Sequence, residues 1–416
     1  MQKIWINGGN RLSGELPVSG AKNSILPLLS ATVLCKGESI IHNCPALSDV
    51  ETSIKILKAL GCKCTFENAT VIVNTDNLCC HEISEQLMRE MRSSIVFLGA
   101  IAGRCHQAVL SSPGGCELGP RPIDLHLSSL RRMGLSITED HGVLDCKTDG
   151  LHGAQIDLAI PSVGATENII LAAALAEGRT VIHNAAREPE IMDLADFLNK
   201  AGAKICGAGT NTVTIDGVRE LHGVEHRAIP DRIAAATYMS AAAITGGNLT
   251  LHAVQPEHIM AIVAVFKEAG CSVKIGNDFV SVQAPEKLRA VSAIKTLAYP
   301  GFPTDAQPPL LSMFTLARGT SIFVETIFAN RFKYVDELKR LGADIHVEGN
   351  VAVVRGVSRL CSATVMATDL RGGAALVIAG LAAAGQTEIG NLHHIDRGYE
   401  HFEENLSALG ADIKRI

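Results

Sequence analysis

The sequence predicts an α/β fold made of six repeated units, three in each of two domains. One observation behind this is a phrase that recurs along the chain: an amphipathic helix closes on a Gly, and the Gly opens a short alternating strand. It reads Leu60-Gly61-Cys62, Met133-Gly134-Leu135, Ala201-Gly202-Ala203, Ala269-Gly270-Cys271, Leu341-Gly342-Ala343 and Leu409-Gly410-Ala411. Successive glycines are 73, 68, 68, 72 and 68 residues apart, and so regular a period marks repeated supersecondary units. The other observation is length. At 416 residues the chain is too long for one compact core and suggests two domains.

Each unit opens with a helix of small apolar residues: Asn23–Cys35, Arg92–Gly103, Thr166–Gly178, Arg232–Gly246, Ala306–Gly319 and Leu370–Gly385. These are apolar almost all round and should be buried on several sides. A Gly is expected to stop most of them. A strand follows, as in Ser39-Ile40-Ile41, Thr180-Val181-Ile182 or Ser321-Ile322-Phe323-Val324. The second helix carries one apolar stripe: Ile259, Ile262, Val263, Phe266 and Ala269 in the fourth unit, and Tyr399, Phe402, Leu406 and Leu409 in the sixth. That spacing describes an exposed helix lying on a sheet. Two alternating strands complete the unit, such as Ala203–Cys206 and Thr212–Ile215.

The last unit lacks its final strand, because the chain ends at Ile416. The N-terminus supplies a match: Gln2-Lys3-Ile4-Trp5-Ile6-Asn7-Gly8 reads like Asn211-Thr212-Val213-Thr214-Ile215-Asp216-Gly217. The expected domains are therefore 22–229 and 1–21 plus 230–416, with chain crossings next to Lys22-Asn23 and Asp231-Arg232. A cleft between two domains is the default place for a ligand.

Composition narrows the partners. With 47% apolar and only 4% aromatic residues, the core must be packed from Ala, Leu, Ile and Val. A net charge of -6 argues against nucleic acid, which needs a basic surface. The N-terminus alternates like a strand and does not resemble a signal peptide. The most apolar stretch, 374–385, falls short of the roughly 20 residues a membrane span needs. A cytoplasmic protein with no membrane span is expected. Twelve cysteines without C-x-x-C spacing read mostly as small buried thiols in a reducing compartment. No metal or cofactor is expected.

The mouths of the apolar helices carry unusual residues: Lys22-Asn23, Arg92, Asp231-Arg232, Asp305, and Asp369 with Arg371. An Asp at a helix start caps free backbone N–H groups, and for Asp231, Asp305 and Asp369 taken singly that reading is favoured. Cations there sit at the positive end of the helix dipole, so Lys22, Arg92, Arg232 and Arg371 imply an anionic ligand shared between helix N-termini. Arg121, Arg331 and Arg397 fall in loops between the first strand and second helix of their units. Three cations at equivalent loop positions strengthen the expectation of a polyanion site.

These residues lie in segments that together resemble one family. Leu16-Pro17-Val18-Ser19-Gly20-Ala21-Lys22-Asn23-Ser24, Pro113-Gly114-Gly115-Cys116, Gly119-Pro120-Arg121-Pro122-Ile123-Asp124-Leu125-His126, Phe302-Pro303-Thr304-Asp305, Asn330-Arg331, Ala367-Thr368-Asp369-Leu370-Arg371 and His394-Ile395-Asp396-Arg397-Gly398-Tyr399-Glu400 resemble the UDP-N-acetylglucosamine enolpyruvyl transferases, from end to end of the chain. The resemblance implies a two-domain inside-out α/β barrel of six units with a cleft between the domains. It implies transfer of enolpyruvyl from phosphoenolpyruvate to the 3′-hydroxyl of UDP-N-acetylglucosamine, through a tetrahedral ketal and with release of phosphate, at the first committed step of peptidoglycan synthesis. Asp305 would be the base. Cys116 would be the acid that protonates the methylene carbon, and could also hold phosphoenolpyruvate as a covalent thioketal. Lys22, Arg121 and Arg397 would grip phosphoenolpyruvate, Arg331 and Arg371 would neutralise developing charge, and Asn23 and Asp369 would orient these groups. Arg92, Arg121, Pro122, Ile123, Asp124, Leu125, Ser162, Val163, Gly164 and Ile327 would hold the UDP-sugar.

Some features depart from the family or point within it. Ile160-Pro161 stands before Ser162-Val163-Gly164, where the family often has a basic residue, which puts one diphosphate contact in doubt. Gly372-Gly373-Ala374 after Arg371, and Glu117-Leu118-Gly119-Pro120 in the loop, are forms associated with Gram-positive members. The rival 5-enolpyruvylshikimate-3-phosphate synthases share the fold and first substrate, but have Lys-Ser in place of Lys22-Asn23 and lack the Pro-Gly-Gly-Cys lid. A catalytically dead paralogue is countered by the joint presence of Lys22, Cys116, Asp305 and Arg397. An RNA-end-processing enzyme on a related repeat fold is countered by the acidic balance.

Overall fold

The computed structural model describes residues 2–111, Leu118 and 123–416, with Arg92 described in its backbone alone. Contacts divide the chain into two compact units, one of residues 2–19 and 230–416, the other of the described residues 20–229 apart from Leu118.

Six four-stranded sheets repeat one strand order among the described residues. The third repeat shows the plan. Gln155–Asp157 runs parallel to Arg179–His183, which pairs antiparallel with Thr212–Asp216, and Lys204–Cys206 closes the far edge. In the sixth repeat the N-terminal strand Ile4–Asn7 takes the inner place between Gln386–Gly390 and Asp412–Arg415, in register Ile4↔Ile389 and Ile4↔Arg415. Ile4 and Ile6 are fully buried, the alternation expected of a strand with one face on the core. The missing strand is thus supplied from the other end of the chain.

The short parallel strands are exchanged at the chain crossings. Ser13–Pro17 pairs with Asn248–His252, whereas Glu225–Arg227 returns to Glu38–His42. Each set of three sheets therefore closes on its own strands. Ala21 N–H donates to the Ile229 carbonyl and Asp231 N–H to the Ser19 carbonyl, so the two passages run side by side.

The apolar helices are buried as their composition demands. All 13 residues of Arg232–Ile244 are buried, and this helix packs with Gln307–Phe314 and Leu370–Ala382. In the other unit Phe97–Cys105 packs against Lys22–Thr32 and Val163–Ala173. The second helices show the predicted stripe. Ile259, Ile262, Val263, Phe266 and Ala269 are buried while Lys267 and Glu268 are exposed. The six repeat-marking glycines, Gly61 to Gly410, all adopt positive φ, between 89° and 107°, backbone that favours glycine.

The stop signals of the apolar helices differ from expectation. Most end three to five residues before their Gly, at Thr32, Ala173, Phe314 and Ala382, and only Gly246 stands within two residues of its helix. The residues between leave the helix to pair elsewhere: Cys35–Lys36 with Leu221–His222, and Ala383–Ala384 with Leu360–Cys361. These ladders satisfy backbone groups near the helix end, and the Gly turns the chain into the next strand. In the second repeat Gly103 lies inside the helix, and His106, at φ 59°, closes it. The third helix begins earlier than expected, at Val163, so Ser162-Val163-Gly164 forms its N-terminus.

Eleven cysteines among the described residues are free. Burial pushes the thiols of Cys35, Cys62, Cys146 and Cys271 up to about 12, which keeps them protonated and inert. Cys79, Cys206 and Cys361 are exposed. No helix among the described residues is long and apolar enough to cross a membrane.

Glu167 is an anomaly in this core. It lies in the Val163–Ala173 helix with 5% exposure, and desolvation, then Glu190 and Glu188, raise its pKa well above 4.5. The folded chain therefore holds this proton more tightly than the unfolded chain. Its contribution to stability is complete below the unfolded value of 4.5 and is lost as pH rises through the folded value. Glu167→Gln should raise Tm near neutral pH, by roughly 2–4 °C for each kcal/mol recovered in a domain of this size. The advantage should vanish as thermal melts approach pH 4.5.

Candidate functional site

The predicted residues form two donor sets, one in each unit. In the unit of residues 230–416 the centre is Asp305, in the short helical turn Thr304–Ala306 before Gln307–Phe314. Neither element has a side-chain cap, so the capping reading of Asp305 is overturned. Its carboxylate faces two arginines instead. Arg331 Nη2 donates to Asp305 Oδ1 at 2.9 Å and to the Thr304 carbonyl at 2.8 Å. Arg371 Nε donates to Asp305 Oδ2 at 3.3 Å. The two arginine side chains are 1% and 2% exposed, against 26% for Asp305. The carboxylate is the accessible member of the group, and its charge is stabilised from both sides.

Asp231 and Asp369 do act as caps. Asp369 Oδ1 accepts from the N–H groups of Arg371 and Gly372 at 3.0 and 2.9 Å. Asp231 Oδ1 accepts from Ile233 and Ala234 at 2.8 and 2.9 Å. Asp369 thereby fixes the backbone from which Arg371 projects. Burial opposes charge on Arg371, yet Tyr399, Asp305 and Asp231 around it more than offset this and push its pKa above the ordinary guanidinium value. Its guanidinium lies over the Tyr399 ring at 5.2 Å, and Tyr399 Oη meets Thr237 Oγ1 at 2.9 Å. Arg331 Nε and Arg371 Nη1 are buried without a hydrogen-bond partner among the described residues, a cost of about 1–3 kcal/mol each.

Arg397 is half-buried, immediately after Asp396, which Arg415 grips at 2.7 and 3.1 Å. Ile327 is 46% exposed, in the loop that leads to Arg331. That loop hangs on Glu325, a residue to which the sequence reading gave no role. Glu325 is 1% exposed. Its Oε1 accepts from Thr296 Oγ1 at 3.0 Å and from the N–H groups of Ile327 and Phe328 at 2.8 and 3.2 Å. Its Oε2 accepts from Thr304 Oγ1 at 2.9 Å. One carboxylate thus ties the loop carrying Ile327 and Arg331 to the residue before Asp305. The available signal was an acid directly after the alternating strand Thr320–Val324. Leu118 belongs with this unit, where its carbonyl accepts from Asn330 N–H at 3.1 Å.

In the other unit Lys22 opens the Lys22–Thr32 helix and pairs with Asp49 at 2.7 Å, both nearly buried. A protein carboxylate therefore balances this cation, as Asp305 balances Arg371. Arg232 lies over the Tyr299 ring at 5.7 Å. Asn23 is exposed. Ile123 precedes the Asp124–Arg132 helix, whose first turn presents exposed Asp124 and half-buried Leu125. Ser162 caps the Val163–Ala173 helix by accepting from Ala165 N–H at 3.3 Å, with Val163 and Gly164 half-buried in its first turn. Ile160 is 61% exposed. Arg92 opens the turn Arg92–Val96, but its side chain, and all of Cys116, Arg121 and Pro122, lie outside the described residues. Among the described residues no group of three or more His, Cys, Asp or Glu is arranged to hold a metal ion.

Glu325→Ala should leave two hydroxyls and two N–H groups without their acceptor. Urea unfolding should show a loss of about 2–4 kcal/mol, since each buried group left unpaired costs about 1–3 kcal/mol. Glu325→Gln, which keeps one acceptor oxygen, should fall between it and wild type.

Comparison with known proteins places these geometries in context. The profile of the family described as EPSP synthase (3-phosphoshikimate 1-carboxyvinyltransferase) matches residues 6–406. The chain is 54% identical over 416 residues to UDP-N-acetylglucosamine 1-carboxyvinyltransferase 2 of Caldanaerobacter subterraneus subsp. tengcongensis, covering 100% of both chains. It is 50% identical over 421 residues to UDP-N-acetylglucosamine 1-carboxyvinyltransferase 1 of Symbiobacterium thermophilum, covering 100% of this chain and 95% of that one. Among solved structures, the enolpyruvyl transferase NikO of Streptomyces tendae aligns with a TM-score of 0.91 at 27% identity, over 100% and 98% of the two chains. An EPSP synthase from Acinetobacter baumannii aligns at 0.77 and 20% identity over 100% of both, a likeness of fold alone.

Proposed function

This chain belongs to the EPSP synthase family of enolpyruvyl transferases, and from that premise we propose how its residues carry out the UDP-N-acetylglucosamine 1-carboxyvinyltransferase reaction. It transfers enolpyruvyl from phosphoenolpyruvate to the 3′-hydroxyl of UDP-N-acetylglucosamine and releases phosphate, in peptidoglycan synthesis and in the cytoplasm. The domains are 22–229 and 1–21 plus 230–416, each an inside-out α/β barrel of three repeats.

The observation that carries the assignment of roles is the uncapped Asp305 held between Arg331 and Arg371. In the resting chain the guanidiniums stabilise its charge and make it a weak base. When the carboxylate and phosphate of phosphoenolpyruvate compete for those cations, the proton affinity of Asp305 rises. It then takes the proton of the sugar hydroxyl as the oxygen bonds to C2 of phosphoenolpyruvate, and Cys116 delivers a proton to C3. Elimination removes a proton from C3, breaks the C2–O bond to phosphate and restores the double bond. Lys22, Arg121 and Arg397 hold the anionic substrate, with Asn23 and Asp369 orienting these groups. Fixed cations that meet developing charge typically contribute a few kcal/mol each to the transition state. Arg92, Arg121–Leu125, Ser162–Gly164 and Ile327 hold the nucleotide sugar, with Ile160-Pro161 leaving the diphosphate to other donors. Cys116 also forms the thioketal with phosphoenolpyruvate.

Phosphate release from phosphoenolpyruvate should occur with UDP-N-acetylglucosamine and not with shikimate 3-phosphate. The reverse pattern would move the chain to the shikimate branch, and silence with both would revive the dead-paralogue reading. Asp305→Asn should lower kcat by about 10²–10⁴-fold, the usual span for a general base. Fosfomycin, an epoxide, should add once to wild type by intact mass and not at all to Cys116→Asp. An unmodified wild type would remove the thiol from its role.

A further inference from the structure

We propose that Asp193 is a positioning residue for phosphoenolpyruvate capture, holding the backbone of Lys22 and Asn23 in place through Ser24 and Ile229. The inference rests on the roles given to Lys22 and Asn23 above, and adds the buried carboxylate that sets their direction.

The mouth of the Lys22–Thr32 helix has no means of fixing itself. Ala21 stands at its N-cap and offers no side-chain acceptor, and no acid lies in the first turn. The direction of Lys22 and Asn23 must then be set from outside the helix. On one side of the pair, Ala21 N–H donates to the Ile229 carbonyl at 2.8 Å. On the other, the fully buried Ser24 hydroxyl donates to Asp193 Oδ2. That same oxygen accepts from Ile229 N–H at 3.3 Å. Three hydrogen bonds thus close a ring that runs from Ala21 along the chain to Ser24, across to Asp193, and back through Ile229. Lys22 and Asn23 both lie on the ring.

Asp193 is itself held in one orientation. It lies in the Pro189–Lys200 helix with 5% exposure, and a carboxylate so buried is costly unless donors meet it. Its other oxygen, Oδ1, lies 2.8 Å from Nε2 of His226, which is also buried. His226 Nδ1 meets Lys200 Nζ at 3.2 Å. An ammonium only donates, so Nδ1 accepts, and Nε2 carries the ring proton that it offers to Asp193. Phe197 packs edge-on against the His226 ring, with centroids 5.6 Å apart. The order of the groups excludes a nucleophilic serine: Ser24 meets the carboxylate and not the imidazole that would have to take its proton. What the array can do is position. The Lys22 ammonium is met by Asp49 at 2.7 Å, and the ring fixes the backbone from which that side chain and Asn23 project.

Steady-state kinetics on the full-length protein test this. Ser24→Ala opens the ring while leaving Asp193 its other donors. It should lower kcat/KM for phosphoenolpyruvate about 10- to 100-fold, the scale of a misplacement of roughly 1 Å. kcat/KM for UDP-N-acetylglucosamine should stay within about twofold, because uniform binding of that substrate is untouched. Asp193→Asn keeps an oxygen for His226 but turns NH₂ toward Ile229 N–H, and should show the same split. If Asp193→Asn fails to fold, Ser24→Ala decides alone, since it removes one hydroxyl and buries no new charge. Parallel losses toward both substrates, or a lowered Tm with wild-type kinetics, would show a structural role only and overturn the proposal. A wild type that releases no phosphate with UDP-N-acetylglucosamine would overturn the functional reading itself. An active wild type whose variants keep kcat/KM for phosphoenolpyruvate would overturn the positioning role alone.

Discussion

Two buried guanidiniums facing one partly open carboxylate form the interaction on which the site in residues 230–416 depends. Taking an arginine out of water is expensive, and a buried pair recovers the cost only with good geometry and added hydrogen bonds. Here the recovery is incomplete, since one N–H of each arginine is orphaned among the described residues. A structure that wanted only stability would place apolar groups at these positions. The surroundings are organised around the pair instead: Asp369 anchors the backbone of Arg371, Tyr399 lies under its guanidinium, and Glu325 fixes both the loop of Arg331 and the residue before Asp305.

The repeats make this arrangement possible. An apolar helix buried on every side cannot place charge along its length, so polar chemistry is confined to its mouth, where free backbone N–H groups already need partners. The same mouth is used differently from repeat to repeat. Asp231 and Asp369 cap, Lys22 reaches Asp49, and Asp305 leaves its own helix uncapped to meet two arginines. The symmetry supplies equivalent places, and the particular residues divide the roles among them.

The sequence foretold the repeat, the stripe on each second helix and the transfer of the N-terminal strand, because all three are periodic patterns of apolar residues and glycine. The helix ends were misread. Cys35–Lys36 and Ala383–Ala384 carry no local signal that they leave the helix, since their pairing partners lie far along the chain. Asp305, taken alone, looked like a cap, because capping is the commonest use of an acid at a helix start. Only the resemblance, and then the two guanidiniums, separated it from Asp231 and Asp369. Glu325 and Asp49 were missed for one reason: each owes its role to partners distant in sequence, and a single acid has no period to betray it.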